Sequence, residues 1–307
     1  MRKILLNPKG RMGLILVGLV VLTSIFAPVL TPYDPGSYDI ASALQPPSAA
    51  HLLGTDKNGG DILTQLLYGG RISLIIGGST GLAVTLLGAA LGIMSAYFGK
   101  FWSGMVLGLI NVLLVIPATP LMMVLSSLSS SYLMMIAVFS LLGWCGTARM
   151  VRAQVLAIRG QNFIRSAELA GASRGYIMVR HILPAVSHLL VMNCALSCAG
   201  FMIAEAGLSF IGLGDPSVIS WGKILVAAQE SAFTSGLWVW VLAPGGAIFV
   251  TVFGFMQLGA ALEEILNPRM ARRETACKDP EAILSSITDI SPEEALAMKA
   301  RFHREVL

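Results

Sequence analysis

The stretch that decides the fold is Ile72–Phe98, which reads ISLIIGGSTGLAVTLLGAALGIMSAYF and carries no charged residue over its 27 positions. A helix needs about 20 apolar residues to cross the hydrocarbon core of a bilayer, where charge is strongly disfavoured. The whole chain has the same character, because only 12% of its 307 residues are charged, against about a quarter in a soluble domain. The sequence therefore predicts an all-α integral membrane protein.

Working outward from this span, we expect about six transmembrane helices. The run Phe101–Ala148 is too long for one crossing, and Pro117, Pro120 and the Ser-rich run 126–131 predict where it reverses. Basic residues precede the first span, but no small-residue cleavage site follows it, so we expect an uncleaved span. Besides Ile72–Phe98, the predicted spans are Met12–Leu30, two within Phe101–Ala148, Ala185–Ala204 and Leu237–Leu262.

The Lys and Arg residues divide unevenly between the two sides of the predicted membrane. With a cytoplasmic N-terminus, 18 of the 21 fall in cytoplasmic segments, and only Lys57, Arg71 and Lys223 fall outside. Basic residues are enriched on the cytoplasmic side of membrane proteins. We therefore expect both termini in the cytoplasm, and the net charge of +4 requires no nucleic acid partner.

The predicted spans and loops divide the chain into three parts. Residues 1–71 hold an N-terminal cytoplasmic stub, the first span and an outward loop. Residues 72–269 form the core transmembrane domain, which includes a cytoplasmic loop at 149–182. Residues 270–307 form a cytoplasmic tail, in which Ser291-Pro292-Glu293-Glu294 is typical of a helix start.

The cytoplasmic loop has a definite helical pattern. Phe163, Ala167 and Ala170 share one face by their spacing, and their small neighbours leave a surface that a partner can approach closely. Gly171 is expected to end this helix with a positive φ, and Ser173 to cap a second segment that reaches Ile182. Such a helix–turn–helix favours a docking element for a cytoplasmic partner over a simple linker.

Polar residues in and near the loop suggest little further chemistry. Arg165 and Glu168 can pair at i, i+3 for a few tenths of a kcal/mol. No phosphate-binding GxxxxGK[ST] pattern occurs in the chain. The four cysteines and four histidines show no metal-ligand spacing, so helix packing is the expected role of Cys145, Cys194 and Cys198. No metal or cofactor is expected on this chain.

The loop resembles a known family. Gly171-Ala172-Ser173 followed by Arg180-His181-Ile182-Leu183-Pro184 resembles the EAA loop of binding-protein-dependent ABC importer permeases, and more narrowly the C-type subunit of the dipeptide/oligopeptide/nickel branch. Aligned on Gly171, the naming triplet falls on Arg165-Ser166-Ala167, so a base stands where the family has an acid. The coupling residues that the resemblance implies are Phe163, Arg165, Ser166, Ala167, Glu168, Gly171, Ala172, Ser173, His181 and Pro184.

Four further segments resemble the same subunit in the same order. Asn7-Pro8 with Tyr33-Asp34-Pro35 resembles its start, and Leu266–Arg269 its end. The stretch 54–61 resembles its outward GTDxxGRD motif, with Gly60 in place of Arg, and the stretch 205–222 resembles its LSFLGLG…SWG segment. The outward residues that the resemblance implies are Gly54, Thr55, Asp56, Asp61, Leu208, Ser209, Phe210, Gly212, Gly214 and Trp221.

The resemblance implies a division of labour among several chains of a prokaryotic inner membrane. This chain and a paralogous permease would form the translocation path for di- and oligopeptides in the membrane lipid. An extracytoplasmic solute-binding protein would deliver the solute, and two cytoplasmic ABC ATPase subunits would bind ATP and Mg. This chain would bind neither, and would act through its loop as a transport subunit rather than an enzyme.

Other functions stay open at this point. A nickel or metallophore importer permease would carry almost the same motifs. A membrane-embedded enzyme would need paired acids or a nucleophile with a base, and its only candidates are Glu205 and Glu263–Glu264. A scaffold or channel would not need the docking loop.

Overall fold

A computed structural model describes residues 2–128, 131–235 and 238–266 of the chain, with side chains given for all of these except 2, 3 and 230–235. Within these ranges the protein is helical and forms no β-strand. The expected tail 270–307, with its helix start at Ser291, lies outside the described residues. The helices are α1 (Arg2–Leu6), α2 (Pro8–Ile25), α3 (Ala27–Leu30), α4 (Ile62–Tyr97), α5 (Lys100–Val115), α6 (Ala118–Ser127), α7 (Tyr132–Arg159), α8 (Asn162–Leu169), α9 (Arg174–Ile177), α10 (Leu183–Phe210), α11 (Trp221–Ser235) and α12 (Val239–Leu266).

Five helical segments of the described residues are long and apolar enough to cross a membrane. They are α2, α4, α7, α12 and the run Arg174–Phe210, which joins α9 to α10. A sixth crossing is present if α5 and α6 count as one broken span, since they meet at an angle of 84°. The break lies where Pro117 forces Ile116 into an extended conformation. The prediction of an all-α membrane protein with about six spans is confirmed.

At two spans, the helix continues past the charged residue at which the prediction ended the span. The second span begins at Ile62 instead of Ile72, so Arg71 lies inside α4. Its guanidinium donates hydrogen bonds from Nε to the Ser24 carbonyl at 2.7 Å and from Nη2 to the Ile25 carbonyl at 2.9 Å. Because carbonyls at the end of α2 accept these hydrogen bonds, Arg71 can lie within α4 without ending the helix. Likewise α7 continues past Arg149 to Arg159, so the loop that follows is shorter than predicted.

Helix α4 is the centre of the bundle and packs mainly against α7 and α10. Its glycines allow this on two sides. A Cβ on Gly88 would lie 2.5 Å from Cβ of Thr147 on α7, and one on Gly81 would lie 2.7 Å from the backbone N of Cys198 on α10. Small residues of this kind let helix backbones approach closely in lipid. Gly92, one turn after Gly88, also faces α7, because a Cβ there would lie 2.7 Å from the Ala148 carbonyl oxygen.

The two ends of the bundle carry different structures. One end, here the loop end, holds residues 31–61 and 211–220, and the start of α7 is joined to it by a hydrogen bond from Tyr132 N to Asp215 Oδ2 at 3.0 Å. The opposite end, here the short-helix end, holds α8 and α9, and there Arg159 Nη1 donates to the Ala96 carbonyl at 3.2 Å.

Candidate functional site

At the short-helix end, α8 stops at Gly171 as the sequence predicts. Gly171 has a φ of +79°. Its N–H bonds to the Glu168 carbonyl and the Ala172 N–H bonds to the Ala167 carbonyl, both at 3.0 Å, which is the Schellman pattern of a helix end. The turn that follows is capped by Ser173, whose Oγ accepts from the Tyr176 N–H at 3.3 Å.

The segment after Ser173 does not form a separate short helix. Helix α9 continues through a π-helical turn, Met178–Ile182, directly into α10. Pro184 lies in the first turn of α10 and has no N–H to give to the residue four positions before it, and the wide turn accommodates this loss. The predicted second segment and the fifth span, which was expected at Ala185–Ala204, are therefore one 37-residue rod, Arg174–Phe210, which runs through Pro184.

Three isoleucines anchor these short helices to the bundle. Ile164, Ile177 and Ile182 are fully buried and pack against α4 and α7 residues, among them Ile93 and Val151. Each buried side chain of this kind contributes about 1.5–3 kcal/mol. The buried face of α8 is thus that of Ile164, while Ala167 is only partly buried and Phe163 and Ala170 are exposed.

The other side of the short helices exposes apolar side chains. Leu169 is 89% exposed, and Phe163, Tyr176 and Val179 are also exposed. The half-buried His181 ring lies between two of them, with its centroid 6.0 Å from that of Phe163 and 5.9 Å from that of Tyr176. We call Phe163, Leu169, Tyr176, Val179 and His181 the docking patch. Exposed apolar side chains on one pair of short helices are a candidate interaction site.

The polar residues predicted beside this patch are exposed, and the structure does not pair them as expected. Arg165, Ser166 and Glu168 face outward from α8. Arg165 and Glu168 form no ion pair with each other or with any other described residue. Nearby, the Arg159 guanidinium lies 5.4 Å from the ring centroid of the buried Tyr97.

At the loop end, the residues of the first outward motif build the start of α4. The Asp56 carboxylate accepts from the Asn58 and Gly60 N–H groups at 2.8 and 2.9 Å and from Gln65 Nε2 at 2.6 Å. Gly60, where the family has Arg, leaves the room that Gln65 occupies, because an added Cβ would collide with Gln65 Nε2. These bonds close the loop on itself.

The remaining residues of that motif are equally engaged. Asp61 caps α4 by accepting from the Thr64 N–H at 2.8 Å, and its other oxygen lies 3.0 Å from His51 Nδ1. Thr55 is fully buried, and its hydroxyl bonds to the Ser42 carbonyl. Gly54 has a φ of +83°, and a Cβ there would lie 3.0 Å from Nε1 of Trp240. The motif is a folded structural unit of the loop end.

The second outward motif ends α10 with the same pattern that ends α8. Gly212 has a φ of +85°, its N–H bonds to the Ser209 carbonyl, and the Leu213 N–H bonds to the Leu208 carbonyl, each at 3.0 Å. Leu208 and Ser209 are buried, and Phe210 is exposed. Gly214 lies so close to Ser209 that a Cβ there would collide with its hydroxyl.

Trp221 follows this motif and begins a helix that the charge-free runs of the sequence do not predict. Its side chain is buried, and its indole Nε1 donates to the Leu66 carbonyl of α4 at 2.8 Å. With 15 residues, α11 is too short to cross a membrane, and its start signal in the sequence is Ser220, whose Oγ accepts from the Lys223 N–H at 3.4 Å.

The predicted site residues therefore gather in two groups at opposite ends of the bundle. The coupling residues lie at the short-helix end and the outward residues at the loop end. The rod Arg174–Phe210 connects the two groups and, at 37 residues, is about 55 Å long.

Two family profiles match the chain. The profile of the family described as binding-protein-dependent transport system inner membrane component matches residues 88–272. A second profile, described as the N-terminal TM domain of oligopeptide transport permease C, matches residues 1–47.

Relatives match over most of their lengths. A Brucella suis biovar 1 protein named as a peptide permease is 34% identical over 260 residues, which are 82% of this chain and 86% of the relative. A peptide transport system permease protein of Brucella abortus is 33% identical over 271 residues, 88% of this chain and 90% of the relative. The oligopeptide transport system permease protein OppC of Bacillus subtilis is 30% identical over 269 residues, 87% of each chain.

The first family profile spans more than half of the chain. The apolar helices of the chain are those of a multi-pass inner-membrane protein. The chain belongs to the family of binding-protein-dependent transport system inner membrane components.

Proposed function

We propose that this chain is a membrane permease subunit of an ATP-driven importer of peptides, and that it forms the translocation path together with a paralogous permease. Family membership supports the transport role. The names of the relatives, peptide permease and oligopeptide transport permease, support peptides over a nickel chelate as the solute.

The docking patch is the observation that carries this proposal. The buried isoleucines beneath it hold α8 and α9 rigidly against α4 and α7, while the apolar side chains above them have no cover among the described residues. A rigid base with an apolar outer surface suits a partner that pushes on it. We assign this surface as the contact for one of two cytoplasmic ATPase subunits. The ATPase subunits, and not this chain, would bind ATP and Mg.

The orientation of the chain follows from the same assignment. The short-helix end lies in the cytoplasm with both termini, and the loop end faces outward to an extracytoplasmic solute-binding protein. The placement of 18 of the 21 basic residues on one side supports this direction.

The docking role can be tested with matched substitutions at the two ends. Leu169→Asp places a charge in the docking patch at a position that is 89% exposed, and Leu52→Asp makes the same change at a loop-end position that is 64% exposed. We expect Leu169→Asp to reduce co-purification of the ATPases at least tenfold, because a charge would be buried without a partner at the interface. Leu52→Asp should leave that association unchanged. Full ATPase association in Leu169→Asp, or equal loss in both variants, would contradict the proposal.

The solute is tested separately by uptake in proteoliposomes that contain the complete transporter and its binding protein. Labelled peptides of two to six residues should be imported with ATP, and a nickel chelate should not compete. Import of the nickel chelate instead of peptides would assign the chain to the metallophore alternative. Hydrolysis of a peptide by the purified chain alone would favour the enzyme alternative.

A further inference from the structure

A buried carboxylate near the loop end plays no part in the function described so far. Glu205 of α10 is 1% exposed. Its Oε1 accepts a hydrogen bond from Ser209 Oγ at 2.7 Å, and its Oε2 accepts one from Ser73 Oγ at 3.1 Å. Burying a carboxylate is costly unless such bonds are made, so this group is held in place by specific donors.

The two donors differ in what they connect. Ser209 lies one turn further along α10, so its bond stays within one helix. Ser73 lies on α4, and its Oγ also accepts from the backbone N–H of Trp221 at 3.2 Å. Through Ser73, the Glu205 carboxylate therefore joins α10 to α4 and to the first N–H of α11. We call Glu205, Ser73, Ser209 and Trp221 the three-helix joint.

Close packing surrounds this joint. A Cβ on Gly222 would lie 2.7 Å from both the Ala206 carbonyl oxygen and Cβ of Ser209, so the start of α11 rests on the backbone of α10. Ser73 and Trp221 are also buried. Water has no access to replace these hydrogen bonds, and their loss would leave buried polar groups unsatisfied.

The charged residues of the neighbouring elements are directed away from Glu205. Arg71 of α4 bonds to the carbonyls at the end of α2. Lys223 of α11 donates from Nζ to the Pro216 and Val218 carbonyls, and Asp215 accepts from Tyr132 and Ser217. Among the described residues, no cation pairs with Glu205. Its contribution to the joint is hydrogen-bond acceptance.

The joint also lies at one end of the rod Arg174–Phe210. The first turns of this rod carry part of the docking patch, and its last two turns contain Glu205. A continuous helix transmits displacement along its axis, so a shift of its first turn moves Glu205 with it.

We propose that Glu205 is a positioning residue for transport, which fastens the start of α11 and the preceding loop to α10, so that movement of α10 at the docking patch moves the loop end. This inference rests on the proposed function for the origin of the movement. The joint itself can be examined without solute or ATP, so the two can fail separately.

The test uses the complete transporter in nanodiscs and three Ser→Ala variants of this chain. Ser73→Ala removes the donor that bridges helices, and Ser209→Ala removes the donor within α10. Ser79→Ala is the control, because Ser79 lies on α4 and its hydroxyl bonds only to Ile75 and Ile76 carbonyls of its own helix. Hydrogen exchange of the peptide that spans residues 211–225 is followed by mass spectrometry.

Ser73→Ala should speed exchange in residues 211–225 at least about fivefold, because it removes the bonds to Glu205 and from the Trp221 N–H, and the loss of one bond alone gives about that factor. Ser209→Ala should have a smaller effect and Ser79→Ala none. After reconstitution of the same variants in proteoliposomes with the binding protein, the ratio of solute imported to ATP hydrolysed should fall in the same order. Unchanged exchange in Ser73→Ala, or a larger effect in Ser209→Ala, would contradict the proposed three-helix joint. Faster exchange with an unchanged ratio of solute imported to ATP hydrolysed would contradict the role of the joint in transport.

Substitution of Glu205 itself separates acceptance from shape. Glu205→Gln retains a carbonyl that can accept one of the two bonds, whereas Glu205→Met keeps a similar length without an acceptor. Exchange in residues 211–225 should be nearer to wild type in Glu205→Gln than in Glu205→Met. Equal exchange in the two variants would show that hydrogen-bond acceptance does not hold the joint, and would overturn the proposal.

Discussion

At the scale of single residues, Gly171 is restricted by its backbone angle alone. It has a φ of +79° and open space where a Cβ would lie. Gly171→Leu forces an L-residue into the left-handed region at about 1–2 kcal/mol, so we expect a distorted end of α8 and weaker ATPase co-purification, with normal membrane insertion. Gly175→Leu is the control, because that glycine is also exposed with open space around it but lies in α9 without a positive φ. Equal association in the two variants would contradict the role of the turn.

Asp215 gives the loop end a dependence on pH. Partial burial opposes its ionisation, but hydrogen bonds from Ser217 and from the Tyr132 N–H, with Lys223 nearby, lower its pKa below the usual range. A carboxylate with a lowered folded-state pKa stabilises the fold above its unfolded pKa and loses this effect as the pH falls. We expect Asp215→Asn to lower the unfolding temperature at pH 6, and this effect to disappear only as the pH falls below about 4, through the lowered pKa of the folded state. Asp34→Asn, in the other loop-end segment, is the control, and a pH-independent difference would contradict the assignment.

At the scale of elements, the sequence predicts helices from charge-free runs, and this rule succeeds wherever charge and helix end coincide. It fails at Arg71, because the carbonyls that satisfy this residue belong to α2 and cannot be identified from α4 alone. The start of the fifth span also differs from the prediction, because a π turn before Pro184 lets the helix begin at Arg174 instead of Ala185. The turn residues Gly171 and Ser173 were predicted correctly, because their conformations are set locally.

The joint at Glu205 shows why long-range parts of the site escape sequence reasoning. Glu205 is visible as an acid within an apolar run, but its donor Ser73 is 132 residues away along the chain. Likewise, the spacing of apolar residues in 163–170 predicts a helix but not which of its faces is buried. Ile164 is buried because it packs against the surfaces of α4 and α7.

The packing of α4 against α7 depends on small residues at specific positions. Gly88→Leu would place a side chain against Thr147 and Ala148 of α7, and we expect this overpacking to cost about 1–3 kcal/mol. Gly78→Leu is the matched control on the same helix, because nothing lies within 4 Å of the position that a Cβ would take there. Thermal unfolding of the detergent-solubilised chain should show a clear loss for the first variant only. Equal unfolding temperatures would contradict the close α4–α7 contact.

At the scale of the whole molecule, the two ends must lie on opposite sides of the membrane. We introduce single cysteines at Ala50 in the loop end and at Ser166 in the short-helix end, in a chain whose own cysteines are replaced. A membrane-impermeant maleimide should label the Ala50→Cys chain in intact spheroplasts, and the Ser166→Cys chain only after permeabilisation. The reverse pattern would contradict the orientation assigned from the basic residues.

The bond between Arg71 and the end of α2 has a consequence for how the chain is made. The first span is synthesised before the second, so the Ser24 and Ile25 carbonyls are already in the membrane when Arg71 arrives. An arginine entering lipid without acceptors is costly, whereas one that meets them is not. The first span therefore lowers the energetic cost of an arginine inside the second span.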